Sequence, residues 1–184
     1  MRTRFNLPER FILALGINKP HKNLHTLLAA FARAQTDAQL VLAGFYDPHF
    51  PDPRKQASQL DILNRVLFLG AIADDDLPIL FSTASAFAFP SYDEGFGLPV
   101  LEAMACGTPV ICSSARSLAE IASGAACLVD PADTNGWTTA IEQVMGDSTL
   151  RARLIDSGLQ RAQQFSWDKT ARLTLAGYRQ LAEL

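Results

Sequence analysis

The run Ser91-Tyr92-Asp93-Glu94-Gly95-Phe96-Gly97-Leu98-Pro99-Val100-Leu101-Glu102-Ala103-Met104-Ala105-Cys106-Gly107-Thr108-Pro109-Val110 decides how the chain is read. An apolar stretch, Ala86 to Phe89, precedes it and ends at Pro90. That pattern predicts a buried strand that stops abruptly, followed by a glycine-studded loop carrying an acid, Glu94. A helix is then expected to open at Leu98-Pro99, with a second acid, Glu102, in its first turn. Proline at the first helical position costs no hydrogen bond, since that N–H has no intrahelical partner. The loop glycines let backbone approach a ligand closely. Free N–H groups and partial positive charge at the helix start suit a phosphate. An acid one turn further on is within reach of ligand hydroxyls. The residues therefore describe a site for a phosphate-linked polyol at the C-terminal end of a strand.

Working outward, short apolar runs alternate with helix-length amphipathic segments. Strands are expected at Phe11 to Leu15, Gln39 to Ala43, Val66 to Leu69, Ala86 to Phe89, Val110 to Cys112 and Cys127 to Val129. Helices are expected at Asn23 to Ala34, Arg54 to Asn64, Asp74 to Thr83, Leu98 to Cys106 and Ser117 to Ser123. In the first, Leu24, Leu27, Leu28 and Phe31 share one face, and Asn23 is placed to cap it. Asp74 to Thr83 starts with three acids, which favours a helix dipole. Phe45 to Pro53, with prolines at 48, 51 and 53, reads as a loop. From Thr134 onward the pattern is purely helical, at Thr134 to Met145, Ser148 to Gln164 and Trp167 to Ala182. Strands that are nearly all apolar and alternate with helices imply a parallel α/β sheet, doubly wound and covered on both faces.

Composition narrows the function classes. The chain has 184 residues, 48% apolar and 19% charged, which fits one globular domain with a substantial core. A net charge of −3 gives no support to nucleic-acid binding, which wants a basic face. Cys106, Cys112 and Cys127 have no paired spacing, so they read as small buried residues kept reduced in a cytosolic compartment. No signal-peptide pattern follows the basic start, and no apolar run reaches transmembrane length.

The string Glu94-Gly95-Phe96-Gly97-Leu98-Pro99 through Glu102-Ala103-Met104-Ala105, closing on Gly107-Thr108-Pro109-Val110, resembles the donor-site signature of retaining glycosyltransferases of the GT-B fold, family 4 or "group 1". Further landmarks agree. Gly16 to Leu28, with Pro20-His21-Lys22-Asn23-Leu24, is similar to the family's first loop and helix. Val66-Leu67-Phe68-Leu69-Gly70 with Asp75-Asp76-Leu77, Leu118-Ala119-Glu120-Ile121, Leu128-Val129-Asp130-Pro131 and Arg161 to Trp167 match later ones. The similarity covers nearly everything from Leu7 onward, but only the C-terminal half of such an enzyme. It implies a Rossmann-like, donor-binding domain across residues 1–184 whose N-terminal acceptor domain is absent.

The resemblance also implies roles. Lys22 contacts the donor diphosphate, and Glu94 contacts hydroxyls of the transferred sugar near its reacting face. Glu102 binds both ribose hydroxyls, which suits a carboxylate because it can accept two hydrogen bonds from a vicinal diol. Gly95, Phe96, Gly97 and Leu98 offer backbone N–H groups to sugar and phosphate, with Phe96 read as packing rather than recognition. Gly16, at the start of the family's first loop, is also assigned to donor binding, and Ile72 follows the third strand where relatives place the nucleobase against backbone. Many relatives place an arginine where this chain has His21 or Ile17, leaving Lys19 as the alternative second cation. Glu120 reads as structural or peripheral.

These roles imply a retaining hexosyl- or mannosyltransferase using a nucleotide-diphosphate sugar such as GDP-mannose or a UDP-hexose. The acceptor is a glycan or lipid-linked glycan, and no metal or other cofactor is expected. The implied setting is cytoplasmic polysaccharide biosynthesis, peripheral at the inner membrane face through the absent domain. A stand-alone nucleotide-sugar binding module is the alternative. An NAD-binding domain would need G-x-G-x-x-G after the first strand, which Gly16-Ile17-Asn18-Lys19-Pro20 does not supply.

Overall fold

A computed structural model describes residues 2–182. Six parallel strands form one sheet: β1 Phe11–Leu15, β2 Gln39–Ala43, β3 Val66–Gly70, β4 Ala86–Phe89, β5 Val110–Ser113 and β6 Cys127–Val129, in the order β3-β2-β1-β4-β5-β6. The helices are α1 Arg2–Phe5, α2 Leu24–Arg33, α3 Pro53–Gln59, α4 Leu77–Thr83, α5 Leu98–Ala105, α6 Arg116–Ala122, α7 Thr134–Gly146, α8 Ser148–Ala162 and α9 Trp167–Ala182. The doubly wound reading is correct, and the strand order is that of a Rossmann-like sheet. The order reverses between β1 and β4, which opens a crevice at their C-terminal ends, where such folds bind ligands.

Continuous apolar strands are explained by two cores. On one face Ile12, Leu40, Leu42, Ala86, Ala88 and Ile111 meet Leu27, Leu28 and Phe31 of α2 and Trp137, Ile141 and Val144 of α7. On the other, Phe11, Leu13, Val41, Phe87, Phe89 and Cys112 meet Leu80 and Phe81 of α4, Val100 and Met104 of α5, and Leu118 of α6. Along β1, β2, β4 and β5 both phases of the alternation are apolar because both faces are covered, while at the β6 edge Leu128 stays exposed. Cys112 sits in this second core, where burial pushes its thiol up to about 12. Such a thiol is inert at neutral pH.

Four local expectations need correction. The Asp74–Thr83 segment splits: Asp74–Asp76 form a 3-10 turn and α4 proper starts at Leu77. Asp76 is buried there and accepts a 2.9 Å hydrogen bond from Arg4 Nη1 of α1, an element the sequence pattern did not announce. Arg54 to Asn64 likewise breaks after Gln59, because Asp61 takes a left-handed φ of 60°. Helix α5 begins at Leu98, so Pro99 is its second residue and Glu102 its fifth, starting the second turn. Asn23 stands before α2 but makes no side-chain cap; its φ is 54° and its amide turns elsewhere.

Helix α9 differs from the rest. Trp167, Ala171, Thr174, Tyr178 and Leu181 recur at the spacing of one helical face, yet Trp167 is 77% exposed and Tyr178 and Leu181 are each 68% exposed. An amphipathic helix ordinarily turns such a stripe toward a partner surface.

Candidate functional site at the β1–β4 crevice

The 3-10 turn Pro20–Lys22 carries the chain from β1 toward α2 and sets Lys22 above the strand end. The lysine stem lies over Gly16: a Cβ built at that glycine would sit 3.5 Å from Lys22 Cδ. Lys22 Nζ donates to Glu94 Oε1 at 2.7 Å, and the side chains are only 20% and 15% exposed. The ring of Phe89, the last residue of β4, lies under the ammonium with its centroid 5.2 Å away. Two residues 72 positions apart are thus brought together over the crevice.

The loop that carries Glu94 is fastened at its root from three directions. Tyr92 N–H donates to His21 O at 2.8 Å. Ser113 Oγ donates to Ser91 O at 2.5 Å from the end of β5. The Asn23 amide donates to Pro90 O at 3.0 Å and to Pro131 O at 2.7 Å. Asn23 is fully buried, and among the described residues Asn23 Oδ1 and Ser91 Oγ have no hydrogen-bond partner. Asn23 and Ser113 are site-forming residues that motif reading missed. The available signal was an asparagine at a strand-to-helix junction, since asparagine tolerates the left-handed region better than most residues.

Beyond the fastened root, Glu94 leads into the start of α5. Gly97 takes φ 102°, which favours glycine, and a Cβ there would fall 2.6 Å from Leu118 Cδ2, so that side chain would also have to shift. Among the described residues the N–H groups of Gly97 and Leu98 have no hydrogen-bond partner. Gly95 and Leu98 are exposed, while Gly97 is buried. Phe96 packs edge-on against Phe165 with centroids 6.2 Å apart, yet remains 46% exposed.

Glu102 lies one turn farther along α5. Its carboxyl is raised above the ordinary glutamate value, first by partial burial and then by the negative charge of Asp74. Glu102 remains largely solvent-accessible on α5, and the charge that acts on it, Asp74, belongs to the segment Gly70 to Asp74 that follows β3. Ile72 in that segment is half-buried and packs on the α5-side core. Lys19 lines a different feature, a groove of about 630 Å³ bordered also by Asn18, His25, Tyr46 and Phe50. Neither Lys22, Glu94 nor Glu102 lines that groove. Glu120 is exposed; its backbone carbonyl accepts from Arg161 Nη2 at 2.9 Å.

Chemically, the crevice holds an ammonium paired with a carboxylate, close to helix-start amides that have no partner among the described residues. Among the described residues no three His, Cys, Asp or Glu side chains gather as a metal site requires.

Comparison with known proteins places this architecture. The profile described as "Glycosyl transferases group 1" matches residues 2–161. "O-antigen chain mannosyltransferase B" of Escherichia coli is 34% identical over 177 residues, covering 94% of this chain and 46% of that protein. "D-inositol 3-phosphate glycosyltransferase" of Salinispora tropica is 36% identical, covering 96% of this chain and 40% of that protein. The chain thus spans less than half the length of these curated relatives. Among solved structures, sucrose-phosphate synthase from Thermosynechococcus elongatus superposes with a TM-score of 0.87 at 34% identity, covering 99% of this chain and 48% of that one. Anabaena HepE in complex with UDP and glucose gives 0.86 at 25% identity, covering 100% and 51%.

Proposed function

From the premise that this chain belongs to the group 1 glycosyl transferases, we propose that it is the donor-binding half of a retaining GT-B enzyme. The full-length enzyme moves a hexose, with mannose from GDP-mannose or a hexose from a UDP-sugar as the leading candidates, onto a glycan or lipid-linked glycan. The observation that carries this reading is the meeting of Lys22 and Glu94 beside the open amides of α5. Lys22 and the N–H groups of Gly97 and Leu98 take the diphosphate. Glu94, with backbone from Gly95 and Phe96, takes the sugar hydroxyls. Glu102 takes the ribose diol, Gly16 lets the phosphates approach, and backbone around Ile72 takes the base. Catalysis then comes from positioning and from electrostatic stabilisation of the leaving diphosphate, without a metal or other cofactor. The sugar keeps its anomeric configuration.

The acceptor is assigned to an N-terminal domain of the same enzyme, as the relatives' greater length suggests. The exposed stripe of α9 supports that reading over a stand-alone binding module, since it offers an apolar face for another domain to cover. Among the described residues no helix is long and apolar enough to cross a membrane. We place the enzyme in the cytoplasm, with contact to the inner membrane face made through the other domain.

Calorimetry with UDP and GDP tests the site. Lys22→Ala is expected to weaken the diphosphates strongly and the nucleosides little; unchanged diphosphate affinity would return Lys22 to an ordinary ion pair. Glu102→Ala is expected to weaken both nucleosides and nucleotides by roughly 1.5–3 kcal/mol, the scale of hydrogen bonds to a charged group. Acidification should mimic that substitution. Protonation removes acceptor capacity from Glu102, so affinity falls as pH drops through its pKa. Because that pKa is raised, the fall should begin at a higher pH than for an ordinary glutamate. A pH series in which Glu102→Gln shows the same acid limb as the unaltered chain would refute this assignment.

A further inference from the structure

We propose that the Lys22–Glu94 ion pair makes the donor site favour a nucleotide sugar over the bare nucleoside diphosphate left after transfer, and so drives product release. The inference rests on the donor-site reading above. Glu94 holds the ammonium of Lys22 at 2.7 Å, with both side chains largely covered. A diphosphate arriving at Lys22 must therefore compete with a carboxylate that is in place.

The two ligands settle that competition differently. A nucleotide sugar brings hydroxyl donors with its phosphates. When the phosphate takes Lys22, those hydroxyls replace the lost ammonium at Glu94. A bare nucleoside diphosphate brings no such donors, and its terminal phosphate gains a second negative charge near neutral pH. Glu94 then either keeps Lys22, leaving the phosphate one cation short, or yields it and stands part-buried and unpaired beside a phosphate. The first outcome weakens the grip on the phosphate, and the second leaves a part-buried carboxylate without its partner; both are unfavourable. Tyr92, Ser91 and Pro90 are tied to His21, Ser113 and Asn23, which keeps the backbone leading to Glu94 beside the crevice. Phe89 beneath the ammonium keeps Lys22 in position while it changes partners. Once the sugar has left, re-formation of the pair displaces the diphosphate.

The test is calorimetry of the 184-residue chain against UDP, GDP, UDP-glucose and GDP-mannose. Glu94→Gln removes the competing charge and keeps the side chain's shape. It is expected to tighten whichever bare diphosphate binds by about tenfold, the size of one charge-assisted hydrogen bond. It should not tighten the matching nucleotide sugar, so the ratio of the two affinities shifts toward the product. Glu94→Asp, which keeps the charge, should leave the bare diphosphate no tighter than in the unaltered chain. Thermal melts confirm that each variant is folded. If Lys22→Ala weakens diphosphates while Glu94→Gln leaves them unchanged or weaker, this proposal fails and the donor site stands. If Lys22→Ala changes neither ligand, the donor-site reading fails and takes this proposal with it. Equal tightening of product and nucleotide sugar by Glu94→Gln would also overturn it, because discrimination would not depend on the pair.

Discussion

Glu94→Ala in the full-length enzyme is expected to lower kcat by roughly 10²–10³-fold, with a smaller rise in the donor KM. The carboxylate stands over the crevice at 2.7 Å from the cation assigned to the leaving diphosphate. Negative charge there is best used as the sugar develops positive character and its hydroxyls become better donors. An interaction that strengthens toward the transition state appears in kcat; one made equally in the ground state appears in KM. Slow release of a diphosphate held by an unopposed Lys22 would lower turnover too. Single-turnover mixing separates the effects, and the chemical step itself should be slowed. A KM effect with unchanged single-turnover rate would reduce Glu94 to a binding residue. An inverted product, or activity abolished by a chelator and restored by a divalent cation, would defeat the proposed chemistry as a whole.

Gly44→Ala is expected to cost about 3 kcal/mol or more of stability, or to prevent folding. Gly44 follows β2 with φ 141°, and a Cβ there would lie 2.1 Å from Gly16 O and 2.6 Å from the Gly16 carbonyl carbon. Both are backbone atoms, so no side-chain rotation relieves the overlap. The strand ends are also fixed by hydrogen bonds: Gly16 N–H donates to Ala43 O at 2.9 Å and Gly44 N–H to Gly70 O at 2.7 Å. Relief requires spreading β1 from β2, and β1 ends directly beneath Lys22. Urea denaturation should show the loss, and any folded fraction should bind nucleotide diphosphates more weakly. A cost below about 1 kcal/mol would show that the strand ends yield far more readily than their hydrogen bonding indicates.

Much of this was legible in the sequence, for identifiable reasons. Strand positions emerged because each is a short apolar run bounded by turn residues, and β1, β2, β4 and β6 have the expected limits. Lys22 and Glu94 were marked by their motifs, and each lies where a strand gives way to a loop. What the pattern could not announce was pairing between distant segments. No local signal tells that Lys22 in the first loop ends on Glu94, or that Asn23 forgoes its cap to bind two remote carbonyls. Helix-boundary errors have the same source. Asp74–Asp76 has the composition of a helix start, but Asp76 is buried and accepts from the distant, exposed Arg4, and the turn takes a 3-10 geometry. The role of Asn18 was invisible for a like reason: its side chain bonds backbone of the Asp47–Pro51 stretch, about thirty positions away.

The amide of Asn23 also carries information about the order of assembly. Its two acceptors lie 67 and 108 residues downstream. Both bonds require β1, β4 and the end of β6 to have docked, and contacts of such sequence separation are costly to close early. The crevice is therefore a late product of folding, and a partly folded chain has no competent version of it. A nucleotide that binds there is linked to the whole cooperative unit rather than to one loop. At a hundred times its dissociation constant it adds about 2.7 kcal/mol to global stability. The melting temperature of the chain should thus rise with nucleotide as one transition, making thermal stability itself a gauge of donor occupancy.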